Sequence, residues 1–355
     1  MSAQDSSPNE NHIKDLIQRA RQEAADTSRT DETISWVHCP HCGTGTELVI
    51  SAYFQEVHCP SCSESFRIIE APDGQVPVQV GKYELLEKVG AGGYGTVWRA
   101  RDTELERDVA VKIFHHHTEP TAIDQALTKG REILEARIAA KLNHSNIVSV
   151  LDFGRVPETG ILYIASEFID GKSLADYLRE GPLSTREAVA LCRTVALALE
   201  HAHQHQVIHR DLKPANILVD QDRQPHVTDF GLAKQVSEEV TVTLDGQVVG
   251  TIAYMSPEQA RGESHLADHR SDVYSFGMVL YEMLTRERPF RGDMAILLHK
   301  VIREDPPSPR RLNSRVPRDL ETICLRCLEK DPQRRYQSMS EVADELGRWL
   351  DGVPI

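Results

Sequence analysis

The sequence lacks an uninterrupted apolar run near the roughly 20 residues that a membrane-spanning helix requires, so we expect no membrane span in this chain. Its N-terminus, MSAQDSSPNENHIKD, has no basic region followed by an apolar one, and no signal peptide is predicted. Cysteines are few, and their odd total of seven argues against a complete disulfide framework. A reducing cytoplasm is the simplest compartment for such a chain.

Basic residues are also under-represented. Lys and Arg total 40 against 54 Asp and Glu, which gives a formal net charge of -14. Because nucleic-acid binding draws on cationic contacts to phosphate, no nucleic-acid partner is expected. Hydrophobic residues make up 40% of the 355 positions, which is enough for a sizeable core in two or three domains.

Four of the seven cysteines form two Cys-x-x-Cys pairs, Cys39 with Cys42 and Cys59 with Cys62. Residues 43–58 separate the pairs, a spacing typical of a four-cysteine zinc site in which two tight turns each present two thiolates. Two disulfides or four unmodified thiols are the alternatives. Three histidines flank the cysteines and could substitute as ligands, although four thiolates complete a tetrahedron without them: His38, His41 and His58.

Strand-like residues accompany these cysteines, at 48–54 and, as a return strand, at 66–69. Residues 36–70 therefore resemble a zinc ribbon held by structural zinc, since a segment this short cannot bury a sufficient core alone. Residues 1–35 form a polar tail with helical spacing in one stretch, and residues 71–82 are predicted to be an extended linker.

From Lys82 onward the pattern is rich in strands and then rich in helices. Strands are predicted at 108–114, 147–151 and 161–165, with one helix at 132–142 between them. Helices then dominate at 173–179, 184–205, 272–284 and 320–328. The order predicts an α+β fold of two lobes, a small sheet lobe at about 83–169 and a helical lobe at about 170–350, with a nucleotide between them.

The octapeptide at 209–216, HRDLKPAN, brings together an acid, a base and an amide: Asp211, Lys213 and Asn216. Phosphoryl transfer from ATP needs groups that orient a hydroxyl, neutralise phosphate and hold a metal. Asp229 begins an Asp-Phe-Gly triplet eighteen residues after Asp211, where a carboxylate could share a Mg2+ ion with the amide.

A glycine-rich stretch, GAGGYGTV at 90–97, fits the loop that lets a backbone approach phosphates. The pattern alone also suits a dinucleotide site, but there a helix should follow, whereas residues 96–100 continue as strand. Lys112 ends an apolar strand and needs anionic partners to be buried. Glu135 and Glu132, one helical turn earlier, are the candidate carboxylate partners, and the family resemblance described below favours Glu135.

Taken together and in this order, the motifs of residues ~83–350 resemble the eukaryotic-like (Hanks-type) serine/threonine protein kinases of bacteria. The resemblance implies that Asp211 is the catalytic base and that Lys213 contacts the γ-phosphate. It implies that Asn216 and Asp229 bind Mg2+ (or Mn2+), and that Lys112 holds the α- and β-phosphates. ATP-binding residues carried over from the family are Val89, Gly90, Ala91, Gly92, Gly93, Tyr94, Gly95, Thr96, Val97, Ala110, Lys112 and, at the hinge, Glu167 and Ile169.

Substrate class and regulation follow from the same resemblance. Lys213 and Thr251 match serine/threonine rather than tyrosine kinases, so the expected partners are proteins with Ser or Thr acceptors. Arg210 could pair with a phosphate on the activation segment, and Thr241 or Thr243 is predicted to be phosphorylated, with autophosphorylation as the expected route.

Two hypotheses compete with catalysis. One is a pseudokinase scaffold, disfavoured because the residues required for chemistry are present, and the other is binding of a protein through the zinc ribbon.

Glu258 is predicted to pair with Arg335, and Asp272 to brace the catalytic loop. Cys192, Cys324 and Cys327 are interpreted as core residues and the histidines at 115–117 as a solvated loop. Family members often continue into a membrane span and a sensor domain, so membrane attachment stays open if the chain is a fragment.

Overall fold

A computed structural model describes residues 33–38, 44–50, 56–62, 65–67, 78–92, 95–114, 142–156, 162–181, 183–230, 252–263 and 267–355. The chain divides after Val76 into two compact units. Within the described ranges, no helix is both long enough and apolar enough to cross a membrane.

The first unit contains two antiparallel hairpins. Strand β1 (Thr33–His38) pairs with β2 (Gly45–Ile50), and β3 (Glu56–His58) pairs with β4 (Ser65–Arg67). Strands β2 and β4 overlap the two predicted strands. Strand β1 was not predicted, and its first three residues belong to the segment interpreted as a polar tail; the helix suggested for that tail lies outside the described residues.

The second unit begins with a six-stranded antiparallel sheet in the order β5-β6-β7-β8-β10-β9. Its strands are β5 (Val78–Val80), β6 (Tyr83–Gly92), β7 (Gly95–Asp102), β8 (Arg107–Phe114), β9 (Val150–Arg155) and β10 (Leu162–Glu167). The sequence of β8 shows why it is a strand. Val109, Val111 and Ile113 alternate with less buried residues, so one face of the strand is apolar and covered.

Strand β5 corrects the interpretation of residues 71–82 as an entirely extended linker. Residues 78–80 pair with the start of β6 through a turn at Gly81, whose φ of 60° suits glycine. The predicted strand at 147–151 begins later, at Val150. The predicted helix at 132–142 lies outside the described residues apart from Leu142, which is buried.

The rest of the second unit is mostly helical. After a short strand β11 (Gly171–Ser173), the helices are α1 (Leu174–Glu180), α2 (Thr185–Gln204), α3 (Pro257–Ala260), α4 (Arg270–Thr285), α5 (Met294–Arg303), α6 (Pro309–Leu312), α7 (Arg318–Cys327) and α8 (Met339–Leu350). Strands β12 (Ile217–Asp220) and β13 (Pro225–Val227) join β11 in a small sheet.

Helix α4 is the centre of the helical core. Nearly every residue from Ser271 to Thr285 is buried, and an apolar surface on all sides is typical of a helix enclosed by other elements. Helix α2 packs against it and begins with a capping box, in which Ser184 and Glu187 satisfy each other's backbone N–H groups. The sheet-then-helix arrangement of two lobes predicted from the sequence is confirmed, and the octapeptide at 209–216 lies between α2 and β12.

Candidate functional site

The octapeptide at 209–216 folds back on itself. Its end forms a 3-10 turn, Pro214–Asn216, which brings Asn216 beside Asp211. The Asn216 amide donates to the Asp211 backbone carbonyl at 2.9 Å and to its carboxylate at 3.3 Å. The Lys213 ammonium donates to the same carboxylate at 2.9 Å. Three of the predicted site residues therefore form one hydrogen-bonded cluster.

Asp272, at the start of α4, holds the backbone of this loop through hydrogen bonds, as predicted. Its two carboxylate oxygens accept the backbone N–H groups of His209 and Arg210, each at 2.8 Å. The ring of His203 contacts the same carboxylate at 2.7 Å. Burial opposes ionisation of Asp272, but these hydrogen bonds and the neighbouring histidines outweigh it and hold its pKa below the ordinary value.

His209 links the loop to the Asp-Phe-Gly segment. Its buried ring is hydrogen-bonded to the Thr228 carbonyl at 2.9 Å and lies 4.7 Å from the ring of Phe230. Burial lowers the pKa of His209, which favours the neutral imidazole. Between these two contacts, Asp229 adopts a φ of 60°, a conformation that non-glycine residues hold only where the surroundings enforce it.

Lys112, on β8, forms an ion pair with Asp229 at 2.9 Å across 117 positions of sequence. Strand β8 and the Asp-Phe-Gly segment therefore meet at two of the predicted site residues. Glu135, the predicted partner of Lys112, and its competitor Glu132 both lie outside the described residues. That prediction stays open.

The glycine-rich stretch joins β6 to β7, with Gly92 paired to Gly95. A side chain at Gly95 would bring Cβ within 2.3 Å of the Ile113 carbonyl oxygen, so the close approach of these strands requires glycine. Gly93 and Tyr94 lie outside the described residues. Val97 lies opposite Lys112 in the β7–β8 pairing and shares its face of the sheet.

Not every predicted nucleotide-contacting residue presents its side chain to that face. Thr96 pairs with Ile113 and is buried on the opposite side, with 3% of its surface exposed. Val89, by contrast, is half exposed on β6. At the hinge, Glu167 ends β10 and its backbone N–H donates to the Ser149 carbonyl at 2.9 Å. Ile169 follows in the connection to β11.

Glu258 and Arg335 form the predicted pair. Two parallel hydrogen bonds of 2.8 Å join the guanidinium to the carboxylate, and both side chains are buried. Burial disfavours the ionised form of Glu258, but its pKa is lowered overall because Arg335 and Ser271 stabilise the carboxylate. One residue further along α3, Gln259 donates to the Arg210 carbonyl at 2.9 Å.

A divalent cation suits the chemistry of the two residues predicted to bind it. Carboxylate and amide oxygens are ligands that Mg2+ prefers, and Asp229 and Asn216 supply one of each. Because the Asn216 amide nitrogen is engaged by Asp211, its carbonyl oxygen is left for a ligand. The side chain of Asp229 is 38% exposed, so an ion could reach it without rearrangement of the core.

The remaining predicted sites are described only in part. Cys59 is buried and Cys62 half-buried, whereas Cys39 and Cys42 lie outside the described residues, as do Thr241 and Thr243. In the described part of the chain, no group of three His, Cys, Asp or Glu side chains is placed to hold a metal ion. The interpretation of three helical cysteines as core is confirmed, since each is at most 1% exposed: Cys192, Cys324 and Cys327.

Two contacts of the site were missed in the sequence. His203 contacts Asp272, and Gln259 joins α3 to the loop at 209–216. His203 precedes His209 by six residues in a stretch with four histidines, HAHQHQVIH, and nothing in that composition distinguishes it from its neighbours. Only the packing of α2 against α4 does so.

Known proteins resemble the second unit closely. A family described as protein kinase domain matches residues 83–346. The serine/threonine-protein kinase PknB of Mycobacterium leprae is 40% identical over 277 residues, covering 77% of this chain and 44% of the relative. PknB of Mycolicibacterium smegmatis is 42% identical over 276 residues (76% and 43%), and serine/threonine-protein kinase PrkC of Bacillus subtilis is 40% identical over 273 residues (76% and 41%). The chain thus spans less than half the length of these relatives.

Proposed function

This chain belongs to the protein kinase family, and from that membership we propose that it transfers the γ-phosphoryl group of ATP to serine or threonine hydroxyls of proteins. The observation that carries the proposal is a pair of side-chain clusters from distant parts of the sequence, joined by a 3.0 Å hydrogen bond from the N–H of Thr228, the residue before Asp229, to the Asn216 backbone carbonyl. Lys112 contacts Asp229, and Asn216 and Lys213 contact Asp211. An acid, two cations and oxygen ligands for a metal are thereby held together, as phosphoryl transfer requires.

In the proposed mechanism, Asp211 orients the substrate hydroxyl and accepts its proton. Lys213, 2.9 Å from that carboxylate, neutralises negative charge on the transferred group. Lys112 holds the α- and β-phosphates, and the backbone of Glu167 and Ile169 binds the adenine ring. Asp272 keeps the loop rigid through the His209 and Arg210 amides, so that these groups need not reorganise during the reaction.

Asn216 and Asp229 would hold Mg2+. When bound, the ion would neutralise negative charge on the phosphates of the nucleotide. The Lys112–Asp229 contact supports this assignment, because it places the Asp229 carboxylate next to the lysine that is proposed to bind the phosphates.

The test compares ATP turnover and ATP affinity of the full chain with those of the Asp211→Asn variant. We expect turnover to fall by at least about a thousandfold in the variant while ATP affinity is retained, because the base acts on the acceptor and not on the nucleotide. Asp222→Asn, in the exposed turn between β12 and β13, is the matched control. Equal and negligible rates in wild type and Asp211→Asn would favour the pseudokinase scaffold.

We also propose regulation by phosphorylation at Thr241 or Thr243, with Arg210 as the receiving cation. Support comes from the anchoring of Arg210, whose backbone is held on both sides: its N–H by Asp272 and its carbonyl by Gln259. A phosphate paired with its guanidinium would therefore act on a fixed point beside Asp211. Mass spectrometry of active protein that finds neither threonine modified, with activity intact, would refute this.

For the first unit we propose one structural zinc ion bound by Cys39, Cys42, Cys59 and Cys62. The two hairpins support the proposal because the connections between their strands have the same length. Residues 39–44 lie between the last pair of β1 and β2, and residues 59–64 between the last pair of β3 and β4, so each Cys-x-x-Cys begins a connection of the same length. Each hairpin would then present two thiolates in the same way.

Metal analysis of the purified full chain tests this proposal, with one zinc per chain as the expected result. Cys59→Ser and Cys62→Ser should lose the zinc, whereas Ser61→Ala, in the same turn, should keep it. We assign the module a structural or protein-binding role apart from phosphoryl transfer, so the cysteine variants should retain turnover. Zinc content unchanged in both cysteine variants would contradict the ligand assignment.

A further inference from the structure

Arg99 lies on the face of the six-stranded sheet that carries the proposed nucleotide contacts. It is opposite Ala110 in the β7–β8 pairing, and Ala110 is opposite Ser166 in the β8–β10 pairing. Residues directly opposite one another point to the same side of a sheet, so these three form one cross-strand row. Val97, two residues before Arg99, occupies the next position on the same face.

The hinge follows directly from the end of β10, next to this row. Phe168 follows Ser166 by two positions, just past the last residue of β10. Strand β11 does not begin until Gly171, so the residues between have no place in either sheet. Their conformation must therefore be held by other contacts, and the side chain of Phe168 makes one of them.

The guanidinium carbon of Arg99 lies 5.2 Å from the centre of the Phe168 ring, within the range of a cation–π contact. Asp108 fixes the same guanidinium, because its Oδ2 accepts from Nε at 2.9 Å and from Nη2 at 2.6 Å. A carboxylate on β8 thus holds a cation on β7 against an aromatic ring on the hinge. Arginine suits this position because its planar group can stack while donating two hydrogen bonds to an acid.

We propose that Arg99 is a positioning residue for the nucleotide, acting through Phe168 on the hinge. Phe168 stands between Glu167 and Ile169, whose backbone groups are the proposed adenine contacts, so restraining its ring restrains both. The inference rests on the proposed kinase function. It assigns no chemistry to Arg99, which is expected to alter how well ATP is held and not how fast the phosphoryl group moves.

Steady-state kinetics and direct binding of Mg-ATP to the full chain test this role. We expect Arg99→Ala to raise both KM and Kd for ATP about two- to fivefold, the change that corresponds to a cation–π contact at an exposed site, with kcat unchanged. Arg101→Ala is the matched control. Arg101 lies on the same strand and face, is equally exposed at 43% against 42%, and pairs with the same Asp108, but it has no cation–π contact with Phe168.

A double-mutant cycle with Phe168→Ala identifies the route. If Arg99 acts through the ring, the double variant should bind ATP no more weakly than the worse single variant. Phe168→Tyr keeps an aromatic face and should stay within twofold of wild type, and Arg99→Lys should be intermediate. Equal affinities in Arg99→Ala and Arg101→Ala, or additive losses in the double variant, would overturn the inference. A wild-type chain that fails to bind ATP would instead remove the proposed function on which it rests.

Discussion

The buried pair of Arg335 and Glu258 allows a quantitative test of how the helical lobe is held together. Arg335 is 1% exposed, and its guanidinium donates to Glu258 twice and to three backbone carbonyls, those of Arg270, Glu329 and Lys330. All its donors are thus used in joining α3, the start of α4 and the segment after α7. Glu258, 5% exposed, depends on Arg335 and Ser271 for its hydrogen bonds.

Arg335→Met removes the cation and leaves its volume largely filled. A carboxylate then remains buried with its main counter-charge gone, which costs about 3–5 kcal/mol when a buried pair loses one partner. Single domains are stable by only about 5–15 kcal/mol, so we expect a large fall in the urea midpoint of the second unit. Arg334→Ala is the control, because Arg334 is 70% exposed and pairs at the surface with Glu329. It should change stability by no more than about 0.5 kcal/mol.

The same pair sets an expectation for pH. The pKa of Glu258 is lowered in the folded wild type from its ordinary 4.5, so the pair stabilises the fold fully above that value. Its contribution is lost as pH falls through the lower, folded pKa. In Arg335→Met the buried carboxyl can take up a proton, so the difference in unfolding free energy should shrink as the pH is lowered from 7 toward 4. A cost of less than about 1 kcal/mol at pH 7, or one that does not change with pH, would refute the reasoning.

Three further outcomes can be checked. Gly95→Ala should lower kcat/KM for ATP on the order of a hundredfold in steady-state kinetics, because the added Cβ would displace the Ile113 carbonyl. Gly181→Ala is the control and should leave kcat/KM unchanged, because open space surrounds Gly181. His203→Ala should cost about 1.5–3 kcal/mol in urea unfolding and reduce kcat, since it removes a 2.7 Å hydrogen bond to the Asp272 brace. Burial raises the pKa of the three core thiols, those of Cys192, Cys324 and Cys327, to about 12 for Cys327. A thiol reagent at pH 8 should therefore label them only after unfolding. Rapid labelling of the native protein would contradict this.

The parts of the site that the sequence predicts well are those set by short motifs. The octapeptide at 209–216 carries its own turn, so Asp211 and Asn216 are brought together by local geometry that neighbouring residues determine. The Glu258–Arg335 pair was predicted from the resemblance to the kinase family, because no local pattern joins two residues 77 positions apart. Helix and strand locations followed from periodicity, with ends that shifted by a few residues, as at Val150.

Contacts that depend on register and packing could not be predicted. The contact between Arg99 and Phe168 depends on the register of strands β7, β8 and β10. No local sequence pattern determines that register. The role of His203 depends on how α2 packs against α4. Strand β5 forms from residues next to a proline and a glycine, where the local signal indicates a turn, because the edge of the sheet supplies hydrogen bonds that a linker would lack.

The most direct test of the central claim is transfer of labelled phosphate from γ-labelled ATP to protein acceptors, followed by phosphoamino-acid analysis. We expect wild type and the Asp222→Asn control to yield phosphoserine or phosphothreonine at the same rate, and Asp211→Asn to yield at most about a thousandth as much. Label found on tyrosine alone, or equal incorporation by wild type and Asp211→Asn, would contradict the account.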